Sequence, residues 1–316
     1  QYEETFKRGA LNIKAQTKII RDRATTALLD ADRGLGHPVS VQAMEMAIKK
    51  AESHDVGIVC VRNSHHFGAA GYYAEIAARQ DFIGIVTTST RGISMVPTRG
   101  TQPVLGTNPF AFAAPAGKYD PLVLDFATTV AAVNKVKVRK LRELQLPDGW
   151  VNDGDGRTIL DPNEAIRIFE NQSFGGLNPV GGVGETLGGH KGYGLAVFSH
   201  ILSGAMPGAS FSPARVKNSN ADTPDDLGHY FQAINPESFR TKEEYENDIE
   251  VVIETLRSVK PSDPDKPVLV PGEPEQISRK DRQKNGIPVN RNLRNLIKEI
   301  AQNAGVEYLL TNNTIP

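Results

Sequence analysis

The chain is short of several features that would each point to a definite chemistry. It has a single cysteine in 316 residues, Cys60, so no disulfide forms within it. A lone thiol inside the apolar run Gly57-Ile58-Val59-Cys60-Val61 is expected to pack, and it suits a reducing, cytoplasmic setting. No apolar stretch approaches the ~18 to 20 residues of a membrane span, and no charged-then-apolar leader opens the sequence. An excess of either charge is also missing. With 36 Lys and Arg against 37 Asp and Glu, the net charge of -1 gives no global reason to expect nucleic acid or an anionic membrane. The local basic run Lys135 to Arg142 reads as a solvated helix face. Nucleotide signatures are absent: Gly34-Leu35-Gly36 and Gly182-Val183-Gly184 lack the third glycine of a dinucleotide fingerprint. In Gly184-Glu185-Thr186-Leu187-Gly188-Gly189-His190-Lys191-Gly192 the lysine is one residue out of register for a phosphate loop, and no Ser or Thr follows it.

What is present is an ordinary globular composition, 39% hydrophobic and 23% charged, which excludes a mostly disordered chain. The length favours one large core with a smaller appendage. Helical and β-type patterns alternate along the first third. The opening residues are polar with weak helical periodicity, and Leu28-Leu29-Asp30 reads as a strand before a turn. Gln42 to Ser53 repeats apolar positions at Met44, Ile48 and Ala51 as a helix would. A strand is expected at 57–61, a helix at 69–79 and a strand at 83–87, then further strands at 110–114, 122–126 and 230–234. The glycine-rich stretch Asn171 to Gly192 is expected to be a mobile or ligand-covering loop ahead of a helix at 193–205. Lys217 to Asp226 reads as surface loop, Thr241 to Ser258 as a charged amphipathic helix, Pro261 to Pro267 as a connector, and Arg291 to Ala304 as a final helix. Such alternation implies a sheet covered by helices.

The stretch richest in chemistry is Val61-Arg62-Asn63-Ser64-His65-His66-Phe67-Gly68, two histidines where a strand gives way to a helix. In open α/β sheets ligands gather at the carboxyl ends of strands, and imidazole exchanges protons near neutral pH. On residues alone a metal-dependent hydrolase using His65, His66 and Asp125 is a competitor. Adjacent histidines on a turn suit one tetrahedral ion poorly, and no HExxH or CxxC supports it.

Five motifs occur in order: Val61 to Gly68; Gly106-Thr107-Asn108-Pro109; Asp125-Phe126-Ala127-Thr128; Gly189-His190-Lys191-Gly192-Tyr193-Gly194-Leu195; and Pro271-Gly272-Glu273-Pro274-Glu275 followed by Gly286-Ile287. Together they resemble the type-2 malate/L-lactate dehydrogenase family, which includes sulfolactate and ureidoglycolate dehydrogenases. The resemblance implies a three-layer α/β/α mixed sheet that is not a classical Rossmann fold, with a smaller helical part. It also implies an NAD or NADP cofactor, a homodimer, no metal, and a small 2-hydroxy acid exchanged with its 2-oxo acid, malate and oxaloacetate foremost. His66 is then the proton donor and acceptor, with His65 flanking it.

Cofactor contacts are expected from Ser89 and Thr90 (Thr88 adjoining them), from Asp125, Phe126 and Ala127, from Lys191, and from Pro271, Gly272 and Glu273. Thr107 and Asn108 would shape the substrate side. Phe126 stands where the family usually has methionine, which keeps an apolar contact. The implied domains are residues 1–27, a remnant of an N-terminal helical part; 28–260, the cofactor-binding α/β domain; and 261–316, a segment returning to the helical part. The family's Ser-His-Gly segment and its carboxylate-clamping arginine have no counterpart here, and the chain opens at Gln1 without an initiator methionine. Either the sequence starts late or the protein has lost a substrate module, and Arg62, Arg91 or Arg99 is not assigned as a substitute anchor. The competing reading is a cofactor-binding protein without catalysis because the substrate region is missing.

Overall fold

The computed structural model describes residues 2–171, 174–217 and 223–310, without the side chains of 215–217. The chain divides into two compact units, one ending at Gly272 and one beginning at Glu273. The first opens with α1 (Tyr2–Lys7), β1 (Lys18–Asp22), β2 (Thr26–Asp30), α2 (Gly36–His54), β3 (Val56–Ser64), α3 (Ala70–Ala78) and β4 (Ile83–Thr88). It continues with β5 (Phe110–Ala114), β6 (Leu122–Phe126), α4 (Val133–Leu141), β7 (Val151–Asn152), α5 (Pro162–Asn171), β8 (Gly176–Leu177) and α6 (Gly189–His200). A π-helical turn, Ile201–Ala205, prolongs α6, and α7 (Ser212–Lys217), β9 (Leu227–Ile234) and α8 (Lys242–Ser258) complete the unit. The second unit holds α9 (Glu273–Asn285) and α10 (Arg291–Ala304).

Among the described residues, seven strands form one sheet in the order β1-β2-β3-β9-β4-β5-β6. β2 and β3 run parallel, and the other neighbours are antiparallel. Strand alternation separates the two faces. Val59 and Val61 of β3, Val86 of β4 and Phe231 and Ala233 of β9 form a continuous core with Met44, Ala47 and Ile48 of α2 and Tyr73, Ala74 and Ala77 of α3. Thr87 points the other way, and its hydroxyl bonds that of Ser199 on α6. The result is a mixed sheet between two helical layers, as the sequence implied. Each fully buried Val, Leu or Phe of this core contributes on the order of 1.5–3 kcal/mol of burial free energy.

Two expectations need correcting. Lys18–Asp22 is a strand, not part of a weakly helical opening, and it pairs with β2 at the rim of the sheet. All five of its residues are exposed, so it lacks the in-out alternation by which strands are read. The glycine-rich stretch is also less loop-like than expected. Gly176–Leu177 is a buried strand pairing with β7, and α6 starts at Gly189 rather than 193. Leu177 N–H donates to Ser94 O at 2.7 Å and Val180 N–H to Thr128 O at 2.9 Å, pinning the connection at both ends. Gly192 serves close packing here: a Cβ on it would collide with the Val180 backbone. Residues 172–173 of that stretch, and 218–222 of the expected surface loop, lie outside the described residues. The helix expected at 241–258 is α8, with Thr241 as its N-cap in a reciprocal capping box with Glu244.

Candidate active site

Strand directions place the chemistry. β3 and β4 both run antiparallel to β9, so they end at the same edge of the sheet. β5 starts at that edge and β6 ends there, with Thr87, Phe110 and Phe126 in register across the three strands. One edge therefore carries His65 and His66 after β3, Ser89 and Thr90 after β4, Thr107 and Asn108 before β5, and Asp125 to Ala127 at the end of β6. These sequence candidates come together.

The two histidines part company. His65 is 2% exposed; its Nδ1 lies 2.9 Å from Asp225 Oδ2, and its Nε2 3.0 Å from the carbonyl of Ala10. Asp225 Oδ1 in turn meets Arg91 Nε at 3.0 Å. His65 is thus built into a buried ion-pair network. His66, next in the chain, reaches solvent. Its Nδ1 accepts from the backbone N–H of Gly68 at 3.3 Å and pairs with the Tyr2 hydroxyl at 2.6 Å. The Gly68 N–H only donates, so it bonds a bare Nδ1, whereas the Tyr2 hydroxyl can donate to a bare Nδ1 or accept from a protonated one. Partial burial holds the His66 pKa below the usual histidine value, the charge of His37 pushes the same way, and Asp225 opposes them.

The turn is set by backbone packing. Gly36, the first residue of α2, donates its N–H to the His66 carbonyl at 3.3 Å, and a Cβ on Gly36 would collide with the His65 carbonyl oxygen. Phe67 stacks on His229 with ring centroids 4.6 Å apart. His229 Nε2 lies 3.0 Å from the Ser64 hydroxyl and its Nδ1 2.6 Å from that of Thr88. Complete burial pushes its pKa down to about 3, so it is neutral. Sequence reading missed Tyr2, His37, Asp225 and His229. The motif Gly36-His37 before a helix was available as a signal; the others are brought in by topology alone.

The β4–β6 side is bonded internally. The Ser89 hydroxyl accepts from the Gly228 N–H at 3.0 Å, and the Thr90 hydroxyl donates to Asn108 Oδ1 at 3.1 Å. Asn108 is 2% exposed and its Nδ2 donates to the Ala196 carbonyl of α6 at 3.0 Å. The Thr107 carbonyl accepts from Thr128 N–H at 2.9 Å. Asp125 Oδ2 accepts the Gly71 N–H in the first turn of α3 at 2.8 Å, where a carboxylate also complements the helix dipole. Phe126 sits beside Phe110, centroids 6.0 Å apart, and Phe110 beside Phe198 of α6. Lys191, in the first turn of α6, is exposed, and its ammonium has no partner among the described residues. The Pro271 carbonyl accepts from Val123 N–H of β6 at 3.1 Å, and Gly272 follows at φ +94°. Glu273 opens α9 in the second unit. The three arginines near the motifs are all in ion pairs: Arg62 with Asp30, Arg91 with Asp225 and Arg99 with Glu185. No group of three His, Cys, Asp or Glu among the described residues is placed to hold a metal ion.

An exposed imidazole at the carboxyl end of a helix-covered mixed sheet, in a chain without a glycine fingerprint, sets this α/β fold outside the Rossmann class. The malate/L-lactate dehydrogenase family matches the chain over residues 1–298, and the chain belongs to that family of hydroxy-acid dehydrogenases. It is 38% identical over 309 residues to a malate dehydrogenase of Pyrococcus abyssi, covering 98% of this chain and 83% of that protein. It is 37% identical over 306 residues to an L-sulfolactate dehydrogenase of Methanocaldococcus jannaschii, covering 97% and 83%. The crystal structure of malate dehydrogenase from Entamoeba histolytica superposes with a TM-score of 0.92 at 33% identity, covering 97% of this chain and 84% of that one.

Proposed function

We propose that this protein interconverts a small 2-hydroxy acid and its 2-oxo acid with NAD or NADP, malate and oxaloacetate being the first pair to test, and that His66 exchanges the proton. The observation that carries the reading is the His66 ring: exposed at the sheet edge, with Nδ1 bonded and Nε2 left to face a substrate. Relatives named malate and sulfolactate dehydrogenases support the substrate class. When bound, a nicotinamide supplies or accepts the hydride at the substrate's C2 carbon.

Protonated His66 gives a proton from Nε2 to the developing alkoxide in reduction and is left neutral with its remaining proton on Nδ1; in oxidation the bare Nε2 takes the proton back. The Tyr2 hydroxyl serves both directions, because it donates to a bare Nδ1 and accepts from a protonated one. The depressed pKa keeps the ring neutral, hence basic, at neutral pH. The residues present fit a nicotinamide cofactor. Lys191 offers an unpartnered cation at a helix start for phosphate, and Phe126 and Ala127 offer an apolar strand end. Ser89, Thr90, Asp125, Pro271 and Gly272 complete the assignment within the first unit, with Thr107 and Asn108 on the substrate side. The apolar side chains Leu195, Phe198 and Ile201 stand exposed along α6 and its π-helical extension, which supports a homodimer that covers them. The single buried thiol supports a cytoplasmic setting.

The test is His66→Ala, assayed with oxaloacetate and both reduced cofactors. Turnover is expected to fall by about 10²- to 10⁴-fold, the usual contribution of general acid-base catalysis, with cofactor affinity retained. Undiminished turnover would overturn the assignment.

A further inference from the structure

Three rings meet at the His66 end of the edge. The centroids of Tyr2 and His37 are 5.9 Å apart, those of Tyr2 and His66 5.9 Å, and those of His37 and His66 6.4 Å. Tyr2 is tied to His66, but His37 forms no hydrogen bond or ion pair with any described residue. It lies within contact distance of Gly68, where a Cβ would sit 3.1 Å from its Nε2. His37 is the second residue of α2, a 19-residue helix whose N-terminus has no side-chain cap, so the positive end of the helix dipole points the same way. The two imidazoles lie beside one helix terminus, and no carboxylate of the described residues hydrogen-bonds the His37 ring.

We infer that His37 is a specificity-determining residue that receives a second anionic group of the substrate, selecting dianionic 2-oxo acids over monoanionic ones. The inference rests on the 2-oxo acid reading above and assigns part of its substrate choice to one side chain. The dimensions agree. In a four-carbon diacid the distal carboxyl carbon lies two C–C bonds from C2, roughly 2.5 Å at ~1.5 Å per bond, and its oxygens reach about 1.2 Å further. With His66 Nε2 at the C2 oxygen, the distal carboxylate comes within hydrogen-bonding range of a ring centred 6.4 Å away. A one-carbon sulfonate in the same place has equivalent charge and reach. A methyl group there leaves His37 without a partner.

The experiment compares wild type, His37→Ala and His37→Gln on oxaloacetate and on pyruvate, with a saturating reduced cofactor. For His37→Ala the kcat/KM on oxaloacetate is expected to fall about 10- to 100-fold, the weight of a charged hydrogen bond, mostly through KM. On pyruvate it should change less than about 2-fold, and His37→Gln should recover part of the loss. Equal losses on both acids overturn the role of His37 and leave the dehydrogenase reading intact. If the wild type reduces neither acid, that reading fails, and malonate binding judges His37 alone. Calorimetric malonate binding that is lost in His37→Ala, with none to acetate in either protein, upholds the anion site; unchanged malonate binding overturns it.

Discussion

The two halves of the site edge are built on opposite plans. On the β2–β3 side His66 is exposed and His37 half-buried without a hydrogen bond to any described residue, and the layer beneath, His65, Asp225 and His229, is locked. On the β4–β6 side nearly every polar side chain picked out by sequence is already engaged with the protein. Ser89 holds Gly228, Thr90 holds Asn108, Asn108 holds Ala196, and Asp125 holds the start of α3. The difference teaches that polar residues of one motif serve different ends. Those beside the proposed proton transfer keep bonding capacity free, whereas those on the proposed cofactor side spend it shaping the backbone, which leaves Lys191 as the free charge there among the described residues.

This contrast is testable at three depths. The largest effect belongs to Asn108→Ala, which removes the tie between the loop before β5 and the Ala196 carbonyl of α6 and deprives the Thr90 hydroxyl of its acceptor. A loss of about 2–3 kcal/mol of folding stability is expected, read as a shift in denaturant midpoint. A stable variant with only cofactor affinity impaired would break the comparison, since Asn108 would then be a ligand group.

The next concerns His229, neutral in the native state because burial pushes its pKa to about 3. In the unfolded chain it titrates near ~6.5. Between those values the unfolded state binds one more proton, so stability falls as pH falls, by up to about 1.4 kcal/mol per pH unit, and is unaffected by this group above pH ~6.5. His229→Gln keeps bonding partners for Ser64 and Thr88 and removes that share of the slope. Parallel stability curves for the two proteins between pH 7 and pH 5 would show that the floor under His66 is not this histidine.

The smallest effect is expected for Lys191→Ala. Cofactor dissociation should weaken roughly 10-fold, while turnover at saturating cofactor changes less than about 2-fold and folding stability stays level. A stability loss instead would place Lys191 with the internally bonded residues.

Much of the fold was legible because its signals are local. Phe110–Ala114, Leu122–Phe126 and Arg291–Ala304 match the expected bounds, since each is a run of one periodicity between turn residues. β1 was not legible, because exposure on both faces erases the alternation. The start of α6 was hidden by glycines that signal a loop locally but here allow close packing against Val180. In the site, the placing of His66 at a strand end followed from its motif, while the separate fates of His65 and His66 did not. Those depend on Asp225 and Ala10, which lie 160 and 55 residues from His65. Pairings of that length carry no sequence periodicity.

The placement of β9 between β3 and β4 also dictates an order of events. Residues 227–234 come well over a hundred positions after the two strands they separate, yet they supply all the hydrogen bonding between them. Until that segment emerges from the ribosome, the strand leading to His66 and the strand leading to Ser89 share no ladder. The edge therefore comes into being late and in one step. Non-local closure of this kind slows folding, and a nascent chain halted before residue 227 carries the first four motifs and no assembled site.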